Sequence, residues 1–329
     1  MSESARPLRS VANASLRDRV SAAEWEVRCD LAAAYQLAFQ FRWTDLIFTH
    51  FTARVPGSEY MLINPYGLMF DEITASSLVK IDKDCNVVED ITGLGVNHAG
   101  FVIHGCVHEA RPEVNCVIHT HTRAGVAVSA QKCGLLPLSQ HALRTYGMLT
   151  YHAYEGIALE LDERVRLAAD LGPTSKAMIL RNHGLLSLGE TVGEAFELMY
   201  YLDTACQIQL DALAGGRVEV DPIPEAVANK GFEQFKGPGG NEVNKVWQAM
   251  LRMLDRKGIR YRDSETGSPW KNAAPGPYRA GSDSSVCWVS RRPRRCICAD
   301  SSSGSSPAAR PPRATWWRAS CSGPRSCSA

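Results

Sequence analysis

An α/β layered domain is the fold class that this sequence predicts, on three observations. Helix-period and strand-composition segments alternate along most of the chain, the pattern that layers helices on a sheet. Two helix starts carry a hydroxyl followed three residues later by glutamate, at Ser21-Ala-Ala-Glu24 and Thr191-Val-Gly-Glu194. Short apolar runs end abruptly in polar, histidine-bearing segments, and ligands collect at such strand ends in open α/β sheets.

Taken in order, the first twenty residues mix Ser, Arg and Pro without periodicity and predict a flexible arm. The cap at Ser21 opens a long apolar-periodic helix through Trp43. Leu46 to Val55 and Tyr60 to Ile63 have β-rich composition and are split by Pro56-Gly57, which predicts strand, turn, strand. Gly100 to Ala110 reads as a helix, Val114 to Ile118 as a short strand and Arg123 to Gln131 as a helix. Leu159 to Leu171 predicts another helix and Ala177 to Leu180 another strand. Thr191 opens a long helix that ends at Gly215-Gly216, and a last helix, Asn241 to Lys257, is stopped by Gly258. These segments form one domain over residues 21–265.

Composition narrows the function classes. The 329 residues are 45% hydrophobic, enough for a full core, and carry a net charge of only +1. Nucleic-acid and anionic-membrane partners demand a basic surface, so neither is expected. No stretch approaches the roughly 20 apolar residues of a membrane span, and the N-terminus lacks a signal-peptide core, so a cytoplasmic protein is expected. Cys29, Cys85, Cys106, Cys116, Cys133 and Cys206 show no paired spacing and read as reduced thiols.

Three histidines carry the chemistry. In Val117-Ile118-His119-Thr120-His121-Thr122, residues two apart at a strand end point to the same face and can chelate one ion. His183, in Ile179-Leu180-Arg181-Asn182-His183-Gly184-Leu185-Leu186, also lies just past an apolar strand, and Gly184 is expected to let the chain turn sharply there. Neutral imidazole suits Zn, Fe or Ni, and three protein ligands with one open position is the usual catalytic arrangement.

Four segments, Asn97-His-Ala-Gly-Phe-Val-Ile-His104, Arg111-Pro-Glu-Val-Asn-Cys-Val-Ile-His-Thr-His-Thr122, Ala127-Val-Ser-Ala-Gln-Lys-Cys-Gly-Leu-Leu-Pro137 and Leu180-Arg-Asn-His-Gly-Leu-Leu-Ser-Leu-Gly189, recur in order with a family's spacing. They resemble the class II aldolase and adducin family, the adducin head domain especially, from about Ser21 to Asp263. The resemblance implies a three-layer α/β/α sandwich around a central mixed, largely antiparallel sheet. It also implies a homotetramer with active sites at subunit interfaces. It assigns His119, His121 and His183 to a divalent metal, zinc first, with iron or manganese as alternatives.

The departures from that family matter as much. Its aldolases and epimerases place an acid/base carboxylate nineteen residues before the first metal histidine, where this chain has Gly100. His98, two residues away, is the expected replacement as base or fourth ligand, beside Asn97. The Gly-Asn and Ser-Ser pairs that hold phosphate in the sugar-phosphate members are Thr49-His50 and His98-Ala99 here, so His50 and Asn97 become candidate substrate-binding residues for a small non-phosphorylated molecule. His141 and Gln140 stand where the lyases place an aromatic acid reaching into a neighbouring subunit, which makes His141 a candidate proton donor. His104 and His108 share a helix face and could mimic a metal pair, but the resemblance implies a structural role at His104, so they read as packing residues. Glu109 reads as a solvated helix residue, and Tyr146, Tyr151, His152 and Tyr154 as half-buried strand aromatics. Two functions follow. One is a metal-dependent lyase (aldol cleavage, decarboxylation or epimerisation) acting on a small hydroxy- or oxo-acid through a metal-stabilised enediolate. The other is a non-enzymatic adducin-like protein that self-associates and binds the actin cytoskeleton, a reading that Gly100 favours.

The composition changes sharply towards the C-terminus. From Gly281 onward there are eight Arg, no Lys, thirteen Ser and five Cys, with only Asp283 and Asp300 acidic. With +1 for the whole chain and +6 here, the preceding residues stand at −5. Such a segment has too few branched apolar residues for a core, so residues 266–329 are expected to be disordered. The mixture is that of a GC-rich gene read out of frame. It lacks the Lys-rich character of an adducin tail, which counts against the cytoskeletal reading. Truncation after Asp263 is expected to leave folding intact, because the tail cannot bury enough surface to offset about 1–2 kcal/mol per ordered residue. Thermal melting of the truncated chain checks this, and a drop of more than a few degrees would show the tail packing on the core.

Overall fold

The computed structural model describes residues 15–156, 161–216, 219–237 and 243–262. Helices α1 (Leu16–Arg19) and α2 (Ala22–Gln40) lead into strands β1 (Phe51–Arg54), β2 (Met61–Ile63), β3 (Val79–Ile81) and β4 (Val87–Glu89). Helix α3 (His98–Ala110), β5 (Cys116–Thr120), α4 (Arg123–Ser129), α5 (Gln140–Leu143) and β6 (Leu149–His152) follow. The chain continues through α6 (Leu161–Leu171), β7 (Ala177–Leu180), β8 (Gly184–Gly189), α7 (Val192–Leu213), α8 (Glu225–Lys236) and α9 (Val243–Arg256).

One eight-stranded sheet runs in the order β4-β3-β2-β1-β5-β8-β7-β6. Only β6 and β7 pair in parallel, and the other neighbours are antiparallel. Alternation along the strands separates two cores. Cys116 and Ile118 of β5 join α2, α4, α7 and α9 on one face, while Val117 joins α3 and α6 on the other. The result is the expected α/β/α sandwich around a mixed, largely antiparallel sheet.

Several local expectations need correction. The segment predicted as a flexible arm folds before Ser21: Leu16 is fully buried and Arg19 pairs with Glu89 at 3.2 Å. Residues 1–14 and the predicted disordered tail lie outside the described residues, as do the starts predicted at Leu159 and Asn241. Ser21 Oγ accepts from the Glu24 amide at 3.1 Å, but the Glu24 carboxylate pairs with Arg28 (2.9 Å) and Lys80 (2.8 Å) rather than capping the first turn in return. A buried guanidinium needs that charge more than an exposed amide does. The strand predicted from Leu46 begins only at Phe51, because Leu46 (φ 52°) and Thr49 (φ 64°) are in the left-handed region, which no strand continues.

The strained segment ends in a firm anchor. Tyr35 of α2 stacks on Phe51 with ring centroids 4.6 Å apart, and its hydroxyl accepts from the Phe51 amide at 2.6 Å. On the opposite face α3 is tied to β1 through Thr52, whose hydroxyl lies 2.8 Å from both His104 Nδ1 and His108 Nε2. The directions are fixed by chemistry. His108 Nδ1 faces the Val114 carbonyl at 3.2 Å and must donate, so its Nε2 accepts from Thr52 and the Thr52 oxygen in turn accepts from His104 Nδ1. Both rings are therefore neutral packing groups, as the family resemblance implies.

This network makes stability depend on pH. Burial pushes His108 down to about 3, with Arg54 adding to the effect. An unfolded imidazole titrates near 6.5, so the unfolded chain takes up a proton that the folded chain refuses. The stability is complete above that value and is lost as pH falls towards the folded one. At pH 5 the loss from this group is about 2 kcal/mol relative to pH 8. Urea unfolding at the two pH values measures it. His108→Gln should reduce the pH slope by close to one proton, and an unchanged slope would exclude a buried neutral His108.

Candidate metal centre

The antiparallel register of β5 with β8 sets Cα partners His119 and Leu186, then Thr120 and Leu185. That register lays the buried His119 ring against the Leu185 carbonyl, 2.9 Å from Nδ1. His121 is the first residue past β5, and its Nδ1 lies 2.9 Å from the Asp45 carboxylate. His183 sits in the turn between β7 and β8. The left-handed conformation there falls on Asn182 (φ 57°) rather than on Gly184, the residue expected to turn the chain. Asparagine tolerates that conformation. Gly184 is needed for a different reason: a Cβ on it would stand 2.4 Å from the Thr120 carbonyl and 3.1 Å from the His121 ring.

The three rings converge as the sequence predicts. Centroids are 4.7 Å apart for His119 and His121, 4.8 Å for His119 and His183, and 4.9 Å for His121 and His183. One ligand atom from each lies within 4.8 Å of the others. His119 and His121 face each other through Nε2 at 2.9 Å. In each neutral ring Nδ1 carries the proton, because its partner is an oxygen that can only accept. Both facing Nε2 atoms then present lone pairs, an arrangement that a cation between them satisfies. Tetrahedral zinc with Zn–N of about 2.0–2.1 Å requires a spacing of roughly 3.3 Å, a small relaxation from what is present. The donor set fits a divalent ion.

Electrostatics keep two of these rings, His119 and His183, in the metal-binding form. Burial holds His119 well below the ordinary imidazole range, and His183 and His121 push in the same direction. His183 is lowered to about 4 by burial and by His121. His50 is also lowered to about 4, again chiefly by burial.

The remaining candidates separate. His50 is 6% exposed, its ring centroid 5.9 Å from His119 and 4.3 Å from His104, so it borders the cluster. Its Nε2 and the buried Thr49 Oγ1 have no hydrogen-bond partner among the described residues. His98 is the residue expected to serve as base or fourth ligand. It is an exposed residue in the first turn of α3, and among the described residues no hydrogen bond or ring contact joins it to the three imidazoles. Asn97 is the N-cap residue of α3 and makes no side-chain cap. His141 packs against Tyr201, centroids 5.8 Å apart, with no contact to the cluster of its own chain among the described residues. Glu109 is an exposed partner of Arg164.

Two functional residues escaped the sequence reading. Asp45 orients His121, and Asp203 of α7 accepts from Thr122 (2.5 Å), next to His121, and from Trp43 (3.0 Å), two residues before Asp45. Asp203 thus holds together the two segments that bring His121 and Asp45 into contact. The available signal for Asp45 was a lone carboxylate just before a β-rich segment, too weak to single out without the fold.

Comparison with known proteins identifies the family and the fold. The family described as Class II Aldolase and Adducin N-terminal domain matches residues 29–210. A crystal structure of an aldolase II superfamily protein from Pseudomonas syringae is 55% identical, with a TM-score of 0.72, and the match covers 76% of this chain and 100% of that one. Alpha-adducin of Rattus norvegicus is 44% identical over 262 residues, 75% of this chain but only 35% of the adducin. L-fuculose 1-phosphate aldolase from Glaciozyma antarctica is 28% identical with a TM-score of 0.63, covering 78% of this chain and 97% of that one. The motifs, the sandwich and a family match over more than half of its length lead to one conclusion: the chain belongs to the class II aldolase and adducin family.

Proposed function

We propose that the protein is a metal-dependent lyase-type enzyme that cleaves, decarboxylates or epimerises a small hydroxy- or oxo-acid. The observation that carries this reading is the pair of Nε2 lone pairs facing each other at 2.9 Å, with His183 closing the triangle. A divalent ion held by His119, His121 and His183, zinc first and iron or manganese as alternatives, supplies Lewis-acid polarisation of a carbonyl and its neighbouring hydroxyl. The chain's own groups supply orientation. Leu185 O and the Asp45 carboxylate fix the tautomers of His119 and His121 and aim both rings, a role whose loss typically costs 10–100-fold in affinity. His50 borders the centre with a neutral imidazole, which suits an uncharged hydroxyl or carbonyl better than a phosphate. The unpaired thiols of the described cysteines fit a cytoplasmic setting, and no described helix is long and apolar enough to cross a membrane.

A second reading, a self-associating adducin-like module with an actin-cytoskeleton partner, is favoured by the 44% identity to alpha-adducin and by glycine at position 100. The metal separates the two. Elemental analysis of purified protein should give close to one divalent ion per subunit, and His121→Ala or His183→Ala should abolish it. Full occupancy in both variants would remove the site.

Shared active sites are part of the enzymatic reading. His141 packs on Tyr201 of its own chain, so a proton-donor role for it requires the centre of a neighbouring subunit. Light scattering should then give four times the subunit mass, and a stable monomer that turns over substrate would exclude the shared site.

A further inference from the structure

Position 100 is the third residue of α3, where an alanine would favour the helix by roughly 0.5–1 kcal/mol over glycine and a carboxylate would gain from the helix dipole. The sequence has glycine, and the space explains why. A Cβ at this position would lie 2.4 Å from His50 Cε1, 2.7 Å from Nδ1 and 3.0 Å from Nε2. The obstacle is a flat, stiff ring backed by His104 at 4.3 Å, with no flexible end to swing away. His50 and a position-100 side chain therefore exclude each other. The His50 ring hydrogen-bonds the Gly100 backbone, and its Nε2 is buried without a hydrogen-bond partner among the described residues. An unpaired buried nitrogen is unfavourable unless something arrives to bond it.

We infer that His50 has taken the place of the missing position-100 side chain, and that its Nε2 hydrogen-bonds a hydroxyl of the substrate bound at the three-imidazole centre. This rests on the proposed function for the substrate, but the exchange of His50 for a side chain at 100 stands on packing alone. Gly100 is the enabling residue: it clears the volume, and His50 fills it with a neutral hydrogen-bonding group in place of a charged one. His50 is not among the residues whose ligand atoms converge, so the role assigned to it is hydrogen bonding to the substrate.

Two measurements test this separately. The first is thermal melting of metal-free wild type, Gly100→Ala, His50→Ala and the double variant. Gly100→Ala should lower the melting temperature by about 3–6 °C in the presence of His50 and leave it unchanged or raised in the His50→Ala background. Equal effects in both backgrounds would overturn the packing exchange. The second is titration of Co(II)-loaded protein with glycolate, followed by the visible Co(II) spectrum. His50→Ala and Gly100→Ala should each weaken glycolate tenfold or more without changing Co(II) affinity, and His50→Gln should recover part of the loss. Unchanged glycolate affinity in His50→Ala, or no spectral response in wild type, would overturn the substrate contact. Failure of wild type to retain Co(II) would overturn the proposed function and leave the melting experiment to decide the exchange.

Discussion

The β5–β8 register is the constraint on which the site depends. Antiparallel pairing places the Leu185 carbonyl against His119 Nδ1 and delivers the following turn, with His183, beside the end of β5. A one-residue slip would send His119 to the opposite face of the sheet. Two apolar layers specify the register: Ile118 and Leu185 belong to one core, and Val117, Leu186 and Leu188 to the other. Burying each such side chain contributes roughly 1.5–3 kcal/mol, so the register is held by far more energy than the polar site itself consumes. Gly184 completes the constraint, since any larger residue would push the turn away from Thr120 and open the triangle.

Around that register the polar groups act as a frame. Asp203 is buried, and burial raises its carboxyl, while bonds from Thr122, Gln207 and Trp43 oppose the shift. Its two oxygens join α7 to both the β5 end and the segment before β1. Between those anchors the chain passes through left-handed conformations at Leu46 and Thr49, positions that cost about 1–3 kcal/mol each where nothing compensates. The Tyr35–Phe51 contact and the Asp203 bonds hold the ends of this strained stretch, so Asp45 and His50 are presented at fixed positions from a loop that would not choose this shape alone.

Much of this was legible in the sequence, for identifiable reasons. The His-x-His at a strand end follows from two-residue alternation, and it needs no tertiary information beyond the strand. His104 and His108 read correctly as packing residues because the position of His104 is structural in the family that the sequence resembles. The exposed edge strand β4 and the fully buried β8 were missed. Neither Val87–Glu89 nor Gly184–Gly189 alternates in polarity, the first being mostly solvated and the second covered on both sides. His98 was favoured over His50 because it is near Gly100 along the chain. In space the helix turns His98 outward, and a loop fifty residues earlier supplies the ring that occupies the vacant volume. Sequence distance is a poor guide wherever one position accepts what another gives up.

The absence of the family carboxylate is weaker grounds for a non-enzymatic protein than it first suggests. A module that only self-associates gains nothing from three converging imidazoles, two of them with opposed lone pairs, and apolar residues of similar volume would make such a site more stable. It gains nothing either from an aspartate aimed at the far nitrogen of one of them. Here the arrangement is fully kept: His119 and His121 each have an oxygen acceptor fixing the tautomer, Gly184 keeps the turn close, and Gly100 admits a further buried imidazole. These features are individually destabilising or neutral for the fold, and the ion and small polar ligand of the proposed function would make them favourable together. The change at position 100 therefore reads as a replacement of one proton- or hydroxyl-facing group by another, and it shifts the expected chemistry within the family more readily than it removes chemistry altogether.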